Sequence, residues 1–285
     1  MKILSFGEII WDVYPDEKHI GGAPLNFAAH AKRAGASTFL MSAVGADELG
    51  TEAIKQAEYY GVNTEYVSAL KEYPTGVCRV TLDQNKIPAY AIADTSAYDF
   101  IPLPSKLPQG FDALAFGTLA LRREHNRRVI DTLLEQCDFG QVFVDLNIRS
   151  PFDRSESIRF ALERATMVKI SDEELPTVLA RLDAPYEGIE ESVCFLKQHF
   201  QNLHTVLVTC GKNPSLLYDL RRGNSYTCQS KKVEVVSTVG AGDCYGAFFL
   251  ARYLAGETME ACMAKAADAA ALVVSCTEAI PLSDL

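Results

Sequence analysis

The sequence predicts an α/β protein: a doubly wound, mostly parallel sheet flanked by helices, with a small β lid. Short β-branched or aromatic runs alternate with longer segments of helical period, the pattern of parallel strands joined by helices. Between about residues 73 and 100 this gives way to polar and apolar residues alternating with period two, as in a strand with one wet face. The alternation then resumes and reaches a glycine-rich turn, STVGAGDCYG at 237–246, set between two apolar stretches.

KILSFG forms the first strand, and PLNFAAHAKRAG a helix with Pro24 in its first turn and Leu25, Ala28 and Ala31 at helical spacing. TFLMSAVG is a strand and ELGTEAIKQAEYYG a helix. In GVCRVTLD, Cys78, Val80 and Leu82 alternate with Arg79, Thr81 and Asp83; DQNK turns the chain and IPAYAIAD returns, an antiparallel hairpin. This hairpin, with a segment at about 10–22, makes the lid, and Tyr90 and Tyr98 read as packing aromatics. After IPLPSKLPQG come DALAFGTLAL, a helix over 123–137, and QVFVDLNIR, whose end sets Asp145, Asn147 and Arg149 alternately on one side of a strand. A helix at 154–164 follows, then MVKIS running into DEELPTVLARL, a helix near 187–199, TVLVTCG and SLLYDL. KKVEVV reads as a strand feeding the long C-terminal helices. The whole, 1–285, is expected to be one domain with its ligands at the carboxyl ends of the strands.

Composition narrows the function. The 285 residues are 48% hydrophobic, ample for a large core. A net charge of −10 leaves no basic patch for phosphodiester backbones, so nucleic acid is not an expected partner. Eight cysteines without a CxxC pair read as reduced core residues. Glu8 interrupts the apolar start MKILSFGEII, and no apolar run approaches the roughly 18 residues of a membrane span. A soluble, cytoplasmic protein without a membrane partner is expected. The five histidines show no metal-ligand spacing.

The glycine-rich turn carries chemistry. The backbone N–H groups of Gly240, Ala241, Gly242 and Asp243 can converge at the positive end of the following helix, and glycine permits both the turn and the approach of an anion. Three readings fit. Asp243 can be a first-turn helix stabiliser worth about 0.5–2 kcal/mol. Gly240, Gly242 and Gly246, with Glu260 downstream, can form a dinucleotide-binding turn of an NAD(P)-dependent oxidoreductase, although its glycine spacing differs from the usual fingerprint. Or the amides hold a transferring phosphoryl group while Asp243 takes a proton from an attacking hydroxyl. The helix N-terminus is expected to lower the Asp243 pKa.

STVGAGDCYGAF resembles the C-terminal signature of the ribokinase-like (PfkB) carbohydrate kinases, and GGAPLNFAAHAKRAGASTFLMSAVGADELG resembles that family's N-terminal signature, a glycine pair, an asparagine and a later G-x-D. The resemblance spans nearly the whole chain and implies an ATP- and Mg²⁺-dependent sugar kinase of ribokinase-like fold. It implies Asp243 as general base, Gly240, Ala241 and Gly242 as anion hole, and Asp12, Gly21, Gly22 and Asn26 as sugar-binding residues. KISDEEL is similar to the family's NxxE segment, keeping Glu174, which there arranges water around Mg²⁺, but placing Ser171 at the asparagine. TCGKNPSLL is similar to the TxGxxG nucleotide loop, keeping Thr209 and Gly211 with Pro214 at the last glycine. Ser237 replaces the signature's first aspartate, which weakens any expectation of a monovalent cation there, and Glu278 stands where glycine is common. DLNIR resembles a fructokinase pattern, implying Asn147 and Arg149 near the substrate. Fructose is the acceptor that the resemblance favours; ribose, 2-keto-3-deoxygluconate and nucleosides are alternatives, as is a kinase-like fold kept only for sugar binding. The lid's open edge permits a homodimer.

Overall fold

The computed structural model describes residues 1–82 and 88–281, with backbone alone at 80–82 and 88–90. The DQNK turn and the Tyr90 side chain fall outside these residues. In chain order the elements are β1 (Lys2–Phe6), β2 (Ile10–Val13), β3 (Lys18–Gly21), α1 (Ala23–Arg33), β4 (Ser37–Gly45), α2 (Glu48–Tyr59), β5 (Asn63–Leu70), β6 (Gly76–Leu82), β7 (Pro88–Ile92) and β8 (Phe111–Phe116). They continue with α3 (Glu124–Gln136), β9 (Phe139–Asp145), α4 (Ser155–Arg164), β10 (Met167–Ser171), α5 (Leu175–Arg181), α6 (Ile189–His199), β11 (Thr205–Thr209), β12 (Ser215–Asp219), β13 (Asn224–Cys228), α7 (Ala241–Leu254) and α8 (Met259–Val274).

The main sheet has 9 strands in the order β13-β12-β11-β10-β9-β8-β1-β4-β5. From β11 through β5 every pairing is parallel, and β12 and β13 close one edge as an antiparallel pair. From β1 the chain winds outward one way through β4 and β5, and the other way through β8 to β11, so strand order reverses beside β1. In doubly wound sheets that reversal opens a crevice at the strands' carboxyl ends. A second sheet of 4 strands, β3-β2-β6-β7, forms the lid. The expected hairpin is the β6–β7 pair, and β2 joins it in parallel, setting Asp12 opposite Cys78.

Apolar alternation explains the layers. Leu4 and Phe6 of β1 face one core with Leu114, Phe116, Val142 and Val144, while Ile3 faces the other with Ala113, Ala115 and Phe143. Both faces of a central parallel strand are buried, which gives its near-continuous apolar sequence. On the second face α7 packs against α1 and α8.

KKVEVV departs from expectation. Residues 229–240 contain no strand, and Val233, Val235, Val236 and Val239 are exposed. The segment is tied instead by the Val236 and Ser237 amides donating to the Val274 carbonyl. The glycine turn is therefore entered from extended surface chain rather than from a strand, which removes the strand–turn–helix context a dinucleotide fingerprint requires.

Candidate active site

The turn itself is tight. Gly240 caps α7 with φ +78, and a Cβ there would stand 2.8 Å from the Ala279 Cβ and carbonyl oxygen. The first three N–H groups of a helix have no partner within it. Of these, Ala241 donates to the Thr238 carbonyl at 3.3 Å, closing the turn and drawing that amide out of the expected cradle. The first-turn amides of Gly242 and Asp243 have no such backbone partner among the described residues. Gly246, the last glycine of the stretch, serves packing: a Cβ there would lie 3.2 Å from the Phe143 ring and 3.3 Å from the Lys169 side chain.

Asp243 is 9% exposed. Because α1 packs on α7, Asn26 reaches it across 217 positions of sequence, its Nδ2 donating to Asp243 Oδ2 at 2.8 Å. Asn26 Oδ1 is buried with no hydrogen-bond partner among the described residues. Burial raises the Asp243 pKa above its ordinary value, against the opposing pull of Asn26, Lys169 and Arg149. The lowered pKa expected of a helix N-terminus is thus not what burial gives: desolvation raises it, which makes the carboxylate a stronger base.

Beneath the cradle lies a buried ion pair. Lys169 Nζ donates to both oxygens of Asp145, at 2.9 and 2.8 Å, and is itself only 5% exposed. A Cβ on Gly242 would sit 3.3 Å from that ammonium. Burial lifts Asp145 to about 6 although Lys169 holds it down. For Lys169 burial works against the charge, but Asp145 and Glu174 outweigh it and the pKa is raised. The alternating arrangement expected of DLNIR is corrected here: β9 ends at Asp145, which faces Lys169, and Asn147 turns to φ +36, in the left-handed region that asparagine tolerates. Arg149, just beyond, is exposed, and its charge acts on Glu8, Asp12 and Asp243.

On the acceptor side, Gly22 (φ +105) lets the chain pass so close that a Cβ would lie 2.4 Å from the Glu8 carbonyl oxygen. Gly21 leaves room for Asp12, whose Oδ2 would be 3.2 Å from a Cβ there. Burial raises the Asp12 pKa, and a hydrogen bond from Cys78 and the charge of Arg149 oppose it. Glu8, at the end of β1, is 4% exposed and lifted to about 7 by burial. Tyr98 is wholly buried, as expected of a packing aromatic, yet its hydroxyl has no partner among the described residues.

On the other side Ser171 and Thr209 stand opposite each other at the ends of β10 and β11, and Gly211 (φ +54) follows with open space where a Cβ would be. Ser230 Oγ donates to the Gly211 and Asn213 carbonyls and shapes this loop. Glu174 is a brace: Oε1 accepts from the Ile148 amide at 2.7 Å, and Oε2 from the Ser171 amide and hydroxyl, each at 2.8 Å. Three of its lone pairs are thereby engaged, which fits contact with a metal through water better than direct ligation. No group of three or more His, Cys, Asp or Glu side chains among the described residues forms a metal cage. A hard cation that keeps its waters and is carried by phosphates needs no such cage.

The structure thus joins Asn26 to Asp243, sets Asp12 beside Gly21, and places the Arg149 charge where it acts on both carboxyl groups, with Ser171 and Thr209 paired at neighbouring strand ends and Gly211 just beyond. Sequence reading passed over Glu8, Asp145 and Lys169 as site groups. The signal was present: each is a charged residue inside or closing an apolar strand run, in SFGEII, VFVD and MVKIS, where a charge stays only if paired or used.

A family model described as pfkB family carbohydrate kinase matches residues 2–284. A fructokinase from Klebsiella pneumoniae is 29% identical over 265 residues, covering 88% of this chain and 83% of its own. A 2-dehydro-3-deoxygluconokinase from Thermoproteus tenax is 27% identical, covering 93% and 83%. Among solved structures, an uncharacterized sugar kinase from Pyrococcus horikoshii in complex with ATP superposes with a TM-score of 0.80 at 24% identity, over 98% of this chain and 94% of that one. The fold is ribokinase-like.

Proposed function

From the premise that this chain belongs to the pfkB family of carbohydrate kinases, and so transfers a phosphoryl group to a hydroxyl acceptor, we propose that the donor is ATP, the acceptor fructose and the base Asp243. The observation that carries the reading is the buried Asp243 carboxylate, pinned by Asn26 in the first turn of α7. A base and an anion cradle side by side are what phosphoryl transfer to an alcohol requires.

The sugar lies under the lid against Asp12, Gly21, Gly22 and Asn26, with Asn147 and Arg149 at its rim. Asp243 orients the attacking hydroxyl and accepts its proton as the new O–P bond forms and the bond to the ADP oxygen breaks. In a loose transition state that proton leaves late, so orientation counts as much as basicity. The amides of Gly242 and Asp243 and the turn at Gly240–Ala241 face the charge on the transferring group, and Ser171, Thr209 and Gly211 line the nucleotide's edge. Glu174 would hold Mg²⁺ through water, and the cation would supply charge neutralisation. The ATP-bound Pyrococcus kinase supports the nucleotide assignment, and the likeness to the Klebsiella fructokinase supports fructose as the acceptor. We read the chain as one domain with an inserted lid, whose open edge pairs two copies; sedimentation as a monomer at micromolar concentration rejects the dimer.

Asp243→Asn keeps the shape and removes the base. General-base help is worth about 10² to 10⁴ in rate, so kcat falls by that order in a coupled assay while sugar affinity changes little. Turnover near that of the unaltered protein rejects the assignment.

A further inference from the structure

We infer that Glu8, Tyr98 and Arg122 form an acceptor subsite that recognises one hydroxyl of an uncharged sugar. The inference rests on the kinase reading and names residues that would recognise its acceptor. Glu8 is 4% exposed, Tyr98 0% and Arg122 4%, and each keeps a buried polar atom with no partner among the described residues: Glu8 Oε2, Tyr98 Oη and Arg122 Nη1. Buried polar groups are otherwise almost always paired, so three orphans in one neighbourhood call for a ligand group. They do share a neighbourhood. The Arg122 guanidinium stacks 5.0 Å from the Tyr98 ring centre, and the charges of Arg122 and Glu8 both act on the Tyr98 hydroxyl. The cluster adjoins the reaction site, since Glu8 feels the charges of Asp243 and Arg149, and Tyr98 lies against Gly76 at the root of the lid.

The hydrogen-bonding set selects its ligand. Arg122 Nη1 can only donate, Tyr98 Oη can donate, and above about pH 7, where Glu8 is ionised, its Oε2 can only accept. A hydroxyl accepts two hydrogen bonds and donates one, and completes all three. A carboxylate or phosphate has no proton for Glu8 and would lie against its charge. Nor is the Arg122 cation available to an anion, because its Nε and Nη2 bind both oxygens of Asp99 at 2.6 and 2.7 Å. Beyond the cluster, the Arg149 charge acts on three carboxyl groups, those of Glu8, Asp12 and Asp243, and Lys169, which also acts on Asp243, is already bound to both oxygens of Asp145. Both the local set and the wider charge balance select against sugar acids and sugar phosphates.

The test measures phosphorylation with ATP and Mg²⁺ of uncharged ketoses and aldoses beside their sugar-acid and sugar-phosphate counterparts, then the two variants Tyr98→Phe and Glu8→Met. The first keeps the ring against Gly76; the second keeps side-chain length and removes both oxygens. The unaltered protein is expected to favour an uncharged sugar. Each variant then raises KM for that sugar about 2- to 10-fold with kcat kept, the size of one lost hydrogen bond. One singly deoxygenated analogue is expected to be a poorer substrate and to show no further loss in Tyr98→Phe, a coupling that mere structural damage does not produce. Preference for an acidic or phosphorylated acceptor, or unchanged KM in both variants, overturns the inference and leaves the kinase reading standing. Failure to phosphorylate every acceptor overturns both.

Discussion

Glu8 shows how a single residue can serve the site at a cost to the fold. Its carboxyl has an ordinary pKa of 4.5 and is lifted by burial to about 7. The folded state therefore holds the proton more tightly than the unfolded chain. The stability linked to that proton is complete below about pH 4.5 and is lost as pH rises through about 7. The span corresponds to up to about 3 kcal/mol. Glu8→Gln does not titrate, so its denaturant midpoint is expected to match that of the unaltered protein at acid pH and to exceed it above pH 7. Equal midpoints across the whole range would show that Glu8 bears no such burden. A variant that gains stability while losing sugar affinity is the behaviour of a residue kept for function. Glu8 was legible only as the charge that breaks an apolar start, because burial and orphaned oxygens belong to the third dimension.

At the scale of elements, the site depends on how closely α7 lies against its neighbours. Asn26 on α1 reaches Asp243 on α7, and Gly246 holds α7 close above Phe143 and Lys169 of the sheet. Gly246→Val adds three carbons where one already makes contacts at 3.2–3.3 Å. Such overpacking costs typically about 1–3 kcal/mol. The expected outcome is a lower midpoint together with a fall in kcat larger than any change in sugar KM, since the displacement bears on Asp243 and Lys169; a variant with intact kcat would mean that α7 tolerates the shift. Alternation and period two had foretold the parallel strands, the flanking helices and the lid hairpin, because those patterns report which face of each element is buried. KKVEVV misled for the same reason. Its valines have strand propensity, but propensity does not say whether a neighbouring strand is free to pair. The Asp145–Lys169 pair escaped because a strand-end carboxylate can face a ligand or a buried lysine, and sequence does not distinguish them.

For the molecule as a whole, the two sheets must act together, and the lid is fastened at its root. Asp47 caps α2 through a hydrogen bond from the Gly50 amide at 2.8 Å and also accepts from the Thr75 amide at 2.9 Å and the Thr75 hydroxyl at 2.6 Å. Thr75 immediately precedes the lid strand β6, and its hydroxyl oxygen accepts from the Gly45 amide at the end of β4. One carboxylate thus joins the main sheet's loop, a helix start and the lid. Closure of a lid over a kinase site excludes water that would otherwise compete with the sugar for the phosphoryl group. Asp47→Ala keeps every group proposed to touch substrate but frees the root of β6. Loss of the cap alone lowers stability by about 0.5–2 kcal/mol. The functional effect is separate: ATP hydrolysis without sugar, low in the unaltered protein, rises relative to sugar phosphorylation, and sugar KM increases. Following ADP and sugar phosphate in parallel gives the ratio directly. If Asp47→Ala lowers the denaturation midpoint yet leaves that ratio unchanged, the latch is structural only and the lid closes without it.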